Sequence, residues 1–181
     1  MSEELHKNER QSISKIKAES LNVLLDSYKE TFNLEESRKD TLENKASMVL
    51  GFSGIITGLI TGLFSSQLAS SSLVNNVFFL VCFFCAIISF TVSGIFALLT
   101  VKLKNYMRPF ATLTPEQIDD LLQKNEIIIK DEIIKNYSDA LLNNQVLNNH
   151  KASKLNIAFY SATLGIALTL LASIFAFFPV A

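Results

Sequence analysis

Residues Ala46–Val101, ASMVLGFSGIITGLITGLFSSQLASSSLVNNVFFLVCFFCAIISFTVSGIFALLTV, contain no Asp, Glu, Lys, Arg or His. A membrane-spanning helix needs about 20 predominantly apolar residues, so this run is too long for one crossing and long enough for two. Its middle is small and polar, Ser65-Ser66-Gln67-Leu68-Ala69-Ser70-Ser71-Ser72, with Asn75-Asn76 just beyond. The pattern predicts a hairpin: a span over Ala46–Phe64, an outer loop over 65–76, and a span over Val77–Val101. The second span, rich in Phe, is the more hydrophobic. The first is diluted by Gly, Ser and Thr, and one Lys or Asp at its centre, costing about 2.5–3.5 kcal/mol, would cancel most of its insertion energy. A second charge-free stretch, Leu155–Ala181, predicts a third span.

Outside these stretches the chain is strongly charged. All 16 Lys and Arg and all 17 Asp and Glu fall in Met1–Lys45 and Lys102–Lys154, for a net charge of −1. Basic residues flank each span: Arg38, Lys39 and Lys45 before the first, Lys102, Lys104 and Arg108 after the second, Lys151 and Lys154 before the third. Basic flanks stay on the cytoplasmic side. An odd number of crossings then places the N-terminus inside and the C-terminus outside, in the inner (plasma) membrane. A cleavable leader is not expected, because the first apolar run begins late and follows a long charged segment.

Four segments follow. Residues 1–45 carry an N-terminal amphipathic helix, 46–101 the transmembrane hairpin, 102–154 a second cytoplasmic helical segment, and 155–181 the third span. From Gln11 to Lys45 there is no Gly or Pro, and Ile13, Ile16, Leu21, Leu24, Tyr28 and Phe32 recur at helical spacing. Asn33 before Leu34-Glu35-Glu36-Ser37 is a candidate cap that leaves room for a break, and beyond it nothing stops the helix continuing into the first span. Thr114-Pro115-Glu116-Gln117 reads as a helix start, with Thr as cap, Pro at the first helical position and Gln three residues after the cap. A further helix begins near Glu126 and meets no Gly or Pro before Gly165, so it is expected to merge with the third span. The fold class is therefore an all-α membrane protein: three transmembrane helices and a cytoplasmic helical bundle built from their long extensions. The apolar stripes of those extensions need cover, from one another and from neighbouring copies.

Catalysis has little to work with. The two His residues, His6 and His150, are isolated, and all six Gly residues lie within the spans, leaving no loop to cradle phosphate. Cys82 and Cys85 sit inside the second span, where thiols behave as small apolar groups. The expectation is a protein that is not an enzyme and carries no metal or cofactor.

The spans are more informative. Gly54, Gly58 and Gly62 form two successive Gly-x-x-x-Gly units, which let helix backbones approach closely in lipid. One position ahead runs a hydroxyl ladder, Ser53, Thr57, Thr61 and Ser65, and the third span repeats the idea with Ser161, Gly165, Thr169 and Ser173. Either these hydroxyls bond their own backbone within packed faces, or Ser53, Thr57, Thr61, Ser65, Ser161, Thr169 and Ser173 line a water-filled path between copies. Three helices cannot enclose a pore alone, so a conducting path needs several subunits, four or more. No Asp, Glu, Lys, Arg or His lies within a span, which argues against a proton-coupled transporter or a voltage sensor. At the rim, Arg38, Lys39, Lys45, Lys102, Lys104, Arg108, Lys151 and Lys154, with Tyr106 to stack a base, serve either lipid headgroups or an anionic effector. Asn143, Asn144, Gln145, Asn148 and Asn149 read as a solvated helix face that could alternatively read base edges.

A charged helix ending in Arg38-Lys39-Asp40-Thr41-Leu42-Glu43-Asn44-Lys45-Ala46-Ser47, entering Leu50-Gly51-Phe52-Ser53-Gly54-Ile55-Ile56 and returning through a hairpin resembles the small transmembrane effectors of bacterial antiphage systems. These are the SLATT-type, Pycsar transmembrane and Hailong-type channel effectors. The likeness covers about Leu34–Val101 and is architectural, and the third span is an addition to the two-span plan. It implies a homo-oligomeric pore or membrane disruptor controlled by a nucleotide or oligonucleotide from a neighbouring nucleotidyltransferase or cyclase. The alternative from the residues themselves is a non-conducting anchor or scaffold that recruits a soluble partner.

Overall fold

A computed structural model describes residues 2–68, 77–102, 106–110 and 114–177. Every regular element in it is helical: α1 (Ser2–Leu68), α2 (Val77–Val101), α3 (Pro115–Leu122) and α4 (Glu126–Phe177). Three of these helices are long and apolar enough to cross a membrane, with mean hydropathies over their most apolar windows of 1.3 for α1, 2.4 for α2 and 1.9 for α4. The weaker first span and stronger second span thus follow their Gly and Phe contents. As expected, α4 runs without a break into the third span.

Two expectations need correction. Helix α1 does not break at Asn33, because no Gly or Pro occurs between Gln11 and Leu50 and Thr31, a capping type, spends its hydroxyl on the Ser27 carbonyl at 2.8 Å. The first span also continues past Phe64 to Leu68, since Ser and Gln are tolerable helix formers. The rest of the outer loop, 69–76, lies outside the described residues.

The chain forms two compact units. One comprises residues 1–38 and 104–147. Leu25, Phe32, Ile134, Ala140 and Leu141 are buried in it, and the Tyr137 ring meets Phe32 and Phe110 edge-on at 5.8 and 6.0 Å. The buried stripe of α1 therefore passes through Leu25 and not Leu24, which is exposed like Ile16 and Val23. Counting apolar positions along the helix could not separate the two neighbours, which differ by about 100° around the axis. Helix α3 starts as its sequence predicts: the Thr114 amide donates to Gln117 Oε1 at 2.9 Å and the Gln117 amide to Thr114 Oγ1 at 3.4 Å. This reciprocal pairing satisfies two amides that a helix start otherwise orphans.

The other unit comprises residues 39–103 and 148–181. It has two apolar clusters of different character. Near the charged end, Ala46, Val49, Ala97, Leu155 and Ala158 pack together, mostly small side chains that let helices close on one another. Farther along, Ile60, Phe79, Phe83, Phe90 and Ala172 form an aromatic layer, continued by Phe78 stacked on Phe175 at 5.7 Å. A Cβ at Gly165 would lie 2.9 Å from the Phe90 ring, so this glycine is required by close packing.

Between the clusters one hydrogen-bond chain ties all three spans. Ser93 Oγ donates to the Ala158 carbonyl at 2.8 Å, and Ser53 and Ser93 hydroxyls lie 3.2 Å apart. Ser93 has a single hydroxyl proton, so Ser53 donates to Ser93. Interhelical bonds of this kind in membranes contribute about 0.6 kcal/mol and at most about 1.7. Ser93→Ala is accordingly expected to lower the unfolding free energy in detergent by about 1 kcal/mol. Circular dichroism against denaturant measures it.

Candidate functional site

The two small-residue ladders of the first span separate when the helix is placed among its neighbours. Ser53 turns inward and is buried, Thr57 is half-buried, and Thr61 and Ser65 are exposed. A ladder at every fourth residue drifts about 40° per step around a helix, which carries it from the protomer interior to its surface. Thr57 and Thr61 hydroxyls bond the carbonyls four residues back, at 2.7 and 2.8 Å, and Ser65 bonds Gly62 at 2.9 Å. Gly54, Gly58 and Gly62 lie on the side away from Ala46, Val49, Ser53 and Ile60, and a Cβ added at any of them meets nothing within 4 Å. Among the described residues these glycines pack against no other helix of the protomer.

The third-span ladder lies on the opposite kind of surface. Gly165 is buried against Phe90, while Ser161, Thr169 and Ser173 are half-buried. Thr169 and Ser173 donate to the Gly165 and Thr169 carbonyls at 2.8 and 2.9 Å. Cys82 packs at the edge of the aromatic layer and Cys85 is exposed, both as free thiols. No group of His, Cys, Asp and Glu with metal-binding geometry occurs among the described residues.

The basic residues fall into three kinds. Arg38 lies 3.5 Å from Glu35 and Lys39 lies 3.7 Å from Asp40, both loose surface pairs. Lys151 is different: it is buried and ion-paired with Glu43, joining the end of the charged part of α1 to α4. Its charge is thereby committed to the fold. Lys45, Lys102 and Arg108 are exposed and Lys154 half-buried, and among the described residues none of these four forms an ion pair. Lys104 lies outside the described residues.

The amide cluster is not a solvated face throughout. Asn143 and Asn149 are exposed, but Asn144 and Asn148 are buried. Asn144 accepts from the Met107 amide and donates to the Met107 carbonyl, each at 3.0 Å. One side chain thus satisfies both backbone groups of the residue between Tyr106 and Arg108. The following turn places Phe110 at φ 67°, a left-handed conformation that non-Gly residues seldom adopt. Asn144→Leu would leave both Met107 groups unpaired, at a cost of about 1–3 kcal/mol. Thermal unfolding followed at the far-UV helix signal is expected to show that loss, with Asn143→Leu as a near-silent control.

Surface ion pairs on the remaining helices are local. Lys124 bonds Asp120 and Glu132, at 3.0 and 3.1 Å, and hydrogen bonding to Asp120 and then Glu132 holds its pKa above the usual lysine value. Lys135 is raised by its hydrogen bond to Asp131, and Glu126 is lowered by its hydrogen bond to Lys130. The raised lysines stabilise below their ordinary pKa and lose this as pH rises through the folded value. Glu126 stabilises above its ordinary pKa and loses this as pH falls through the depressed value. Between about pH 6 and 9 none of the three pairs contributes a pH dependence.

Three apolar helices bound together at mid-depth, with two charged segments and no catalytic constellation among the described residues, define a small helical membrane protein. The chain belongs to the Pycsar effector family: the model of the Pycsar effector protein domain matches residues 34–178. The match includes the third span, so the family likeness extends well beyond the Leu34–Val101 hairpin. No curated protein and no solved structure matches the chain. Membership makes it a membrane effector of antiphage defence.

Proposed function

We propose that the protein is a homo-oligomeric pore-forming effector of the inner membrane, opened by a cyclic nucleotide acting on the side that carries both charged segments. The observation that carries this reading is the outward face of the first span. Among the described residues the space between the three spans is filled by alanine, phenylalanine and the Ser53–Ser93 bond. Gly54, Gly58 and Gly62 instead offer a shallow surface on which another copy's helix can approach closely. Exposed Thr61 and Ser65 beside that face supply hydroxyls to a path between copies. Ile16, Val23 and Leu34 on α1, at 62, 71 and 64% exposure, and Leu142 and Val146 on α4 add apolar surface outside the spans that further copies would cover.

The ligand follows from the family, since a Pycsar effector implies a cyclic-nucleotide signal from a partner cyclase. Arg108, exposed and free of ion pairs among the described residues, is suited to a phosphate, and Tyr106 stands two positions before it. The Asn144 clamp on Met107 positions both. In the same topology the basic flanks keep the N-terminus cytoplasmic and the C-terminus outside. The test is current across a planar bilayer containing purified protein, with cyclic pyrimidine and purine nucleotides added in turn to each side. Current that appears with one nucleotide, from one side, supports the reading, and a bilayer silent under all of them overturns it. The exposed Ile16–Val23–Leu34 surface also suits a second reading, a non-conducting anchor for a soluble partner, for which the bilayer stays silent and a stoichiometric partner co-purifies.

A further inference from the structure

An apolar groove runs along the membrane-crossing unit between α1 and α4, with a volume of about 420 Å³. Buried Val49 and Ala162 form its floor, Phe52 and Phe159 flank it, and Lys45 stands at the end nearest the charged segments. Thr163 also lines it, but its hydroxyl donates to the Phe159 carbonyl at 3.0 Å, so no polar group competes along the apolar length. From Lys45 to Phe52 the helix rises about 10 Å. The size lies within the range of sites that hold small ligands, about 300–1,000 Å³.

We propose that this groove binds one anionic phospholipid, its acyl chain against Val49, Phe52, Phe159 and Ala162 and its phosphate on the Lys45 ammonium. Charge complementarity selects that occupant. Lys45 is exposed and unpaired among the described residues, whereas Lys151, on the neighbouring helix, is neutralised by Glu43. A second copy's spans are the competing filler, but residues 46–101 and 155–181 contain no carboxylate, so they bring Lys45 no counter-charge. An anionic phospholipid supplies the apolar body and the negative end in one molecule. The site does not depend on whether the protein conducts.

Native mass spectrometry of the full chain, released from detergent containing equal phosphatidylglycerol and phosphatidylcholine of matched chains, tests this. A lysine at an anionic headgroup is worth about five-fold in affinity, so retained phosphatidylglycerol is expected to exceed phosphatidylcholine by about that factor. Lys45→Gln should bring the ratio to about unity while lipid is still retained, and Thr163→Trp, which fills the groove, should lose both lipids. Lys102→Gln, an exposed basic residue beyond the groove, should leave the preference intact. A ratio unchanged by Lys45→Gln, or lowered equally by Lys102→Gln, would overturn the site. So would a disulfide between copies through Thr163→Cys in a background with Cys82→Ala and Cys85→Ala, because a second copy would then occupy the groove.

Discussion

Gly58→Leu is expected to leave each protomer helical and membrane-inserted while reducing the assembled fraction more than about ten-fold. The expectation rests on a contrast between glycines of the same chain. At Gly58 an added Cβ meets no described atom of its own protomer within 4 Å, and replacing a helical glycine gains about 0.5–1 kcal/mol of backbone entropy. Any loss must then come from outside the protomer, where a bulky side chain holds two helices apart that lipid does not push together. A penalty of only 1.4 kcal/mol per contact is ten-fold in the association constant, and it compounds around a closed ring. Gly165→Leu should behave the opposite way. Its Cβ alone sits 2.9 Å from the Phe90 ring, so the aromatic layer must shift at a cost of about 1–3 kcal/mol or more and the protomer itself loses stability. Cross-linking in native membranes followed by denaturing electrophoresis separates the cases, with circular dichroism of the purified variants reporting the fold. Equal assembly of wild type and Gly58→Leu would remove the glycine face from the account.

The second large effect lies at Lys151. Breaking a buried ion pair by removing one partner costs about 3–5 kcal/mol, because the other charge remains in a poorly solvated place. Lys151→Met strands the Glu43 carboxylate, which is 23% exposed. Replacing both partners, Glu43→Gln with Lys151→Met, is expected to recover most of the loss, since neither charge then needs water. Denaturant unfolding of the two single variants and the double variant gives the coupling directly. If Lys151→Met costs less than about 0.5 kcal/mol, the pair behaves as a surface salt bridge and not as a clasp between α1 and α4.

Much of this architecture was legible in the residues. Absence of charge is a strong signal for a span because a single central ion cancels so much insertion energy. Thr114-Pro115-Glu116-Gln117 marked a helix start for equally local reasons, which the Thr114–Gln117 pair bears out. What a one-dimensional reading does not carry is which side of a helix turns inward when neighbouring stripes are chemically alike. Gly54 and Ser53 are adjacent, small and repeated at the same spacing, and it is Ser53 that shares the buried side of α1 with Val49 and Ile60 and meets Ser93 on α2. The same limit hid Leu25 beside Leu24. Asn144 sat in a run of amides that looked solvated, because its partner is brought close by folding: Met107 is 37 positions away. Lys151 was grouped with the ligand-facing cations for the same reason, its partner Glu43 lying 108 positions away.

The claim on which the functional account turns is that the outward face of the first span borders water between copies. Cysteine accessibility in proteoliposomes tests it most directly, in a chain with Cys82→Ala and Cys85→Ala. Thr61→Cys is expected to react with a membrane-impermeant thiol reagent once the nucleotide is added and to lose current as it does so. Leu170→Cys, an exposed apolar position on the third span, should stay unreactive in lipid. Equal reactivity at the two positions, or an inert Thr61→Cys in protein that still conducts, would contradict a path along this face.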